Sequence, residues 1–213
     1  MKFRPLLKAF LDRNGSMIMN MIVCFGILNW MVENTAPSFM AGKFDFVDTM
    51  FLLHNVVMLA LILIRRNHQA IDGSFFHQAI AVAAFFSGLA FIGEPTRNPA
   101  LLAAADAVIL VALVLGTATL FNLGRSFGIL IAYRKVEDSF LYSIIRHPMY
   151  MTDLLWKVGI VLKKPCYFNL GILLLSAACY VYRALLEERF LSQQEQYRDY
   201  MKKVRYRFIP GVF

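Results

Sequence analysis

Between Arg146 and Leu191 the chain sets arginine, histidine and carboxylate side chains at the two ends of an otherwise apolar stretch. It opens with Arg146-His147-Pro148-Met149-Tyr150, is broken at Lys163-Lys164-Pro165, and closes on Arg183 and Glu187-Glu188. Charged groups beside hydrocarbon are costly and are usually retained for function. A cation, an imidazole and a carboxylate at the mouth of an apolar helical hairpin suit the capture of a small charged cofactor at a membrane surface. His147 precedes a proline, which favours an extended residue and a helix start at Pro148. The N-terminus of such a helix offers backbone N–H groups to an anion. The plainer reading of Arg146-His147 is an interfacial anchor. Arg183 and Glu187 are four residues apart and share a helix face. They form either a simple salt bridge or a pair that grips opposite poles of a zwitterion.

Other polar residues carry less. His54 and Asn55 fall inside an apolar run, where His54 reads as a hydrogen-bonded packing residue, and Asp106 sits near the outer end of its helix, within reach of water. Asn20 and Asn29 read as donors between helices, worth about 1 kcal/mol. The Leu123–Gly128 stretch is glycine-rich but follows no strand, so it reads as a helix exit and not as a phosphate loop. Cys24, Cys166 and Cys179 are odd in number and lack ligand spacing. They read as small buried hydrophobes, with no metal site implied.

The elements that must position these groups are membrane helices. Of the 213 residues 59% are hydrophobic and 17% charged, well below the charged share of a soluble domain. The sequence predicts an all-α integral membrane bundle forming a single domain over 1–213, with four spans in 1–121 and a hairpin and terminal helix in 122–213. The spans are Ser16–Val32, Phe46–Ile64, Phe75–Gly93 and Ala100–Phe121, with a loop from Glu33 to Asp45. No small-x-small cleavage pattern follows the first apolar run, so it reads as an uncleaved helix. Met151–Leu162 covers about 18 Å as a helix, short of a core of about 30 Å. Lys163-Lys164-Pro165 therefore marks a hairpin tip, with proline in the first turn of the returning helix from Cys166. Leu186, Phe190, Tyr197, Met201 and Val204 then line one face of a cytoplasmic amphipathic helix. The net charge of +8 resides at the ends of apolar runs, which points to lipid headgroups and topology and away from nucleic acid. Lys and Arg alternate across the loops, which sets both termini, the second loop and the segment after the fourth span on the cytoplasmic side.

The residues of the C-terminal half resemble a known family. Arg146-His147-Pro148-Met149-Tyr150, the apolar hairpin, Arg183-x-x-x-Glu187-Glu188-x-x-Leu191, Tyr197-x-x-Tyr200 and Phe208-Ile209-Pro210 together are similar to the isoprenylcysteine carboxyl methyltransferases. The resemblance runs from about Leu123 onward. Where that family has a His or Thr-Leu-Val segment this chain has Arg134-Lys135-Val136-Glu137, and Phe140-Leu141-Tyr142 replaces a Gly-Pro-Tyr.

The resemblance implies an S-adenosylmethionine-dependent methyltransferase embedded in the membrane. It places Tyr142, Arg146, His147, Pro148, Met149, Tyr150 and Glu187 around the cofactor, and Arg183 at the acceptor as the catalytic residue. In this reading Glu187 takes the cofactor's ammonium, the 147–150 turn holds its carboxylate and adenosine side, and Arg183 orients an anionic acceptor. The implied acceptor is hydrophobic or lipid-like and enters between helices. Two alternatives stand beside it. Membrane sterol reductases, which use NADPH, share a similar Arg-His turn, an Asp at the place of Asp153 and a terminal segment like Val204–Phe208. A non-catalytic membrane protein is the other.

Overall fold

The computed structural model describes residues 3–66 and 68–212, with the side chains of 3–19 and of Ile22 outside the described set. Seven α-helices are present among these residues: α1 (Phe3–Met40), α2 (Phe46–Ile64), α3 (Phe75–Phe86), α4 (Pro99–Leu123), α5 (Pro148–Lys163), α6 (Tyr167–Leu191) and α7 (Glu195–Lys203). Two two-residue strands, β1 (Ala70–Ile71) and β2 (Ala132–Tyr133), pair antiparallel with Ala70 opposite Tyr133. The all-α membrane class holds, and the ribbon is an addition too short to leave an alternating signal.

Among the described residues three helices are long and apolar enough to cross a membrane: Phe46–Ile64, the helical run Pro99–Ser126, and Tyr167–Leu191. Their outward faces are greasy, as at Leu53, Val56, Leu63, Val111, Val114, Leu174 and Leu175, as lipid contact demands. The ends follow local chemistry. Asp45 caps α2 in a reciprocal capping box with Asp48. Asn98 caps α4 through the amides of Ala100 and Leu101, with Pro99 in the first turn. Gly124 ends α4 at a φ of 51°, the helix exit expected there.

Four expectations change. Helix α1 continues through Glu33–Met40, expected as loop, and carries Pro37 within it. Proline so near a helix end removes one bond, and the chain leaves soon after with Ala41 N–H on the Pro37 carbonyl. The third apolar run is helical over Phe75–Phe86, tightens to a 3₁₀ turn over Ser87–Ala90, and falls short of a span's length. At the hairpin tip Cys166 is the cap and Pro165 lies outside α6, so proline terminates the tip and does not start the return. The expected continuous helix past Leu186 breaks at Ser192-Gln193-Gln194, and α7 is a separate short helix. Among the smaller readings, Asn20 does reach the Ile62 carbonyl across to α2 (3.3 Å), whereas Asn29 bonds within its own helix to Glu33 (2.7 Å). Asp106 pairs with Lys163 (2.8 Å), tying α4 to the tip, and Cys166 is exposed.

The core places Val23, Ile27 and Met31 of α1 against Met58, Leu59 and Ile62 of α2, with Leu120, Phe127 and Ile129 closing it. Between α4 and α5 the packing is close because the facing residues are small, Ala105, Ala112 and Gly116 against Thr152 and Gly159. A Cβ on Gly159 would stand 2.5 Å from Ile109 Cγ1 and 3.3 Å from the Ala105 carbonyl oxygen, the latter being rigid backbone. Gly159→Ala is therefore expected to lower stability by about 1 kcal/mol or more through overpacking. Thermal unfolding in detergent measures it, and a melting temperature equal to wild type would show that the two helices can part.

Candidate functional site

The Arg-His turn is held from the C-terminal side. The amides of Arg146 and His147 donate to the carbonyls of Tyr206 and Arg207 (both 2.9 Å), so the 204–208 segment pairs with the turn like a strand. His147 is the residue before α5, and Pro148 fills its first position, as the sequence predicts. Further support comes from α7, whose buried Tyr200 donates to the Tyr142 carbonyl (2.8 Å), with Tyr197 and Val204 packed beside it.

The two glutamates point to different places. Glu188 is 5% exposed and is surrounded by two arginines and a histidine: Arg146 Nε at 2.9 Å, His147 Nε2 at 3.1 Å and Arg207 Nε at 3.0 Å. The first is an ion pair without hydrogen-bond alignment, and the Arg146 Nη1 donates to the Val204 carbonyl (3.4 Å). Glu187 is 18% exposed, accepts from the Tyr150 hydroxyl and lies 3.9 Å from His147 Nδ1. It lines a cavity of about 250 Å³.

That cavity gathers the sequence-predicted residues. Tyr142, Arg146, His147, Met149, Tyr150, Arg183 and Glu187 all border it, while Pro148 stands beside it as the first residue of α5. Its aromatic wall is a stack, His147 on Tyr150 (5.2 Å, 7°) and Tyr150 on Tyr180 (4.9 Å, 14°). Burial pushes the Tyr142 and Tyr197 phenols up, assisted by the Glu187 charge, so both stay neutral hydrogen-bonding groups at any ordinary pH. Much of the remaining lining is apolar, including Ile27, Trp30, Phe51, Phe86 and Trp156. His54 is there too, bonded through Nδ1 to the Thr117 hydroxyl (3.0 Å), which agrees with its reading as a packing residue.

Arg183 does not form the simple salt bridge with Glu187. Its terminal nitrogens donate to the carbonyls of Ala81 (3.0 Å) and Ile129 (2.5 Å), and its guanidinium lies 5.0 Å from the Tyr150 ring centroid. It thereby ties α6 to α3 and to the segment before β2 while keeping a face on the cavity. Its Nε is buried without a hydrogen-bond partner, a donor left for something else.

Sequence reasoning missed Lys157. This side chain is 0% exposed, pairs with Asp153 one turn earlier, and lies 4.7 Å from the Tyr180 ring centroid. The signal was present as an acid and a base four apart in an apolar helix. Arg134 was also passed over as a loop cation, although it is buried in the cavity wall. Glu188 was legible as a charge but not as the centre of the cation cluster.

The donor set suits a sulfonium cofactor with an amino-acid end. A carboxylate with spare accessibility borders the cavity, aromatic faces line it, and Arg183, another lining residue, has a buried Nε without a hydrogen-bond partner. Among the described residues no group of His, Cys, Asp and Glu is arranged to hold a metal ion.

Comparison with known proteins bears on the same part of the chain. Residues 99–199 match the family model described as phospholipid methyltransferase, a segment that begins with α4 and takes in the entire hairpin. Among solved structures, the eukaryotic intramembrane Ras methyltransferase ICMT (isoprenylcysteine carboxyl methyltransferase) aligns at 23% identity with a TM-score of 0.49. The alignment covers 78% of this chain and 64% of that one, so the chain spans just under two thirds of that protein's length. No curated protein matches the chain in sequence.

Proposed function

Since residues 99–199 carry the phospholipid methyltransferase pattern, we propose that this chain is a membrane-embedded, S-adenosylmethionine-dependent methyltransferase acting on a hydrophobic or lipid-like acceptor. The observation that carries the reading is the shared cavity, where a partly accessible carboxylate, an aromatic stack and the Arg-His turn open into a greasy chamber inside the bundle. When bound, the cofactor supplies an electrophilic methyl group on sulfur. The chain's own residues bind, orient and exclude water. Glu187 takes the ammonium, fixed for that purpose by the Tyr150 hydroxyl. The stack of His147, Tyr150 and Tyr180 receives the flat adenosine side. Arg183 braces the ring of Tyr150 and the adjoining segments, and its unpartnered Nε is the donor it offers the acceptor. Alignment of acceptor and methyl in a dry chamber supplies most of what an in-line displacement needs, worth several kcal/mol.

The pairing of β1 with β2 brings the loop after α2 together with the segment after α4, which supports the placing of both on one face, the cytoplasmic one by charge. A single cysteine at Lys135, which is exposed, is expected to label from the cytoplasmic side. Labelling from outside alone would reverse the topology. The activity itself is tested by calorimetric titration of the purified chain with adenosylhomocysteine and with NADPH. Saturable binding of the first alone is expected, and binding of NADPH alone would move the chain to the reductases.

A further inference from the structure

We infer that Arg134 grips an oxyanion, a carboxylate or a phosphate, of a molecule bound in the cavity. The residue is 8% exposed and borders the cavity wall beside Tyr133 and Lys135. Its Nε is spent on the Arg66 carbonyl (3.2 Å), and among the described residues no carboxylate stands within ion-pair distance of its guanidinium. Burying a cation without a counter-charge is costly, so a fold that does so reserves it for an anion that arrives from outside. Two features say that the position is built. Gly128 makes room for it: a Cβ there would stand 2.5 Å from Nη1 and 2.8 Å from Nη2. The second is a neighbouring cation: burial first and then Arg65 push the Arg134 guanidinium down to about 10, against a weaker opposing pull from Glu187.

The contrast with the other cavity arginine sharpens the assignment. Arg183 has both terminal nitrogens on backbone carbonyls, whereas Arg134 has spent its Nε and keeps the terminal pair. A planar fork with two parallel N–H groups is what a carboxylate or phosphate accepts. The anion comes from one of two sources, the amino-acid end of the cofactor or the head of the acceptor. Only that choice of source rests on the methyl-transfer reading.

The test uses the full chain in phosphatidylcholine nanodiscs and two probe pairs: adenosylhomocysteine against its decarboxylated counterpart, and phosphatidic acid against added phosphatidylcholine. Wild type is expected to prefer the acidic member of at least one pair. Arg134→Gln is expected to lose that preference, by about tenfold or more, with the neutral member bound as before. Arg134→Lys retains part of it. Gly128→Ala keeps the charge, displaces the flexible end of Arg134 at little cost to folding, and is expected to weaken the same probe, which covers the case of a glutamine variant that does not fold. Loss in the first pair assigns the cofactor's carboxylate, and loss in the second assigns a lipid head. The inference is overturned by wild type having no preference in either pair. It is overturned equally by a preference that survives Arg134→Gln and Gly128→Ala, or by equal weakening of both members. Failure of adenosylhomocysteine to bind wild type at all would sink the cofactor reading while the lipid pair still decides Arg134.

Discussion

Glu188→Gln is expected to destabilise the protein by about 3–5 kcal/mol, the scale of removing one partner from a buried ion pair. The substitution keeps shape and removes charge. Glu188 is 5% exposed and is the anion within reach of Arg146, His147 and Arg207 at 2.9–3.1 Å. Arg146 is itself buried, so neutralising its partner leaves a cation in an apolar setting. The damage is directed at one place, because the same three side chains hang on the turn before α5 and on the C-terminal segment paired with it. Loss of the cluster should therefore free the 204–208 segment from the turn. Thermal unfolding in detergent should show a large drop, accompanied by loss of adenosylhomocysteine binding. A glutamine variant that melts with wild type would mean that water or the remaining partners neutralise Arg146.

Glu187 and Glu188 also show where sequence stops being informative. Adjacent residues on a helix point about 100° apart, so one of the pair meets the cations and the other meets the cavity. No local rule selects which, because the choice depends on how α6 is rotated against the turn at 146–147 and the tail at 206–207. What was legible came from strong local chemistry. The abrupt end of α2 at Arg65-Arg66, the Asn98-Pro99 start, the Gly124 exit and the Pro148 start are each written in one or two residues. The gathering of Tyr142, Arg146, His147, Tyr150, Arg183 and Glu187 around one cavity was reached through a resemblance, and the fold brings them together.

The features that escaped are tertiary. The third apolar run tightens and ends early where Gly88 comes against Trp156, its would-be Cβ 3.2 Å from the ring, and no pattern within Phe75–Gly93 records that neighbour. Helix α1 passes through Pro37 because the end of a helix tolerates what its middle does not. Asn169 fixes the tip by donating to the carbonyls of Lys164 (2.8 Å) and of Ile92 (2.9 Å), the latter 77 residues away in sequence. Arg183 could be read either as the salt-bridge partner of the glutamate one turn on or as one pole of a zwitterion clamp, and neither reading shows the two carbonyls from distant segments that claim its terminal nitrogens.

Glu187→Gln is expected to weaken adenosylhomocysteine binding by about 1.5–3 kcal/mol, roughly ten- to a hundredfold, with folding intact. The two halves of this expectation have separate causes. The Tyr150 hydroxyl donates to Glu187, and a glutamine carbonyl accepts the same bond, so the contact that orders the side chain survives. Glu188 carries the structural ion pairs, so removing the charge at 187 leaves the cation cluster in place. What disappears is the negative charge that the proposal sets against the cofactor's ammonium, and an amide cannot replace a charge-assisted bond of that kind. The decarboxylated analogue keeps its ammonium and should weaken in parallel, whereas an analogue without the amino group should bind wild type and variant alike. Calorimetry on a variant whose melting matches wild type is the measurement. Undiminished affinity for adenosylhomocysteine in that variant would remove Glu187 from the cofactor and leave it as the partner of Tyr150.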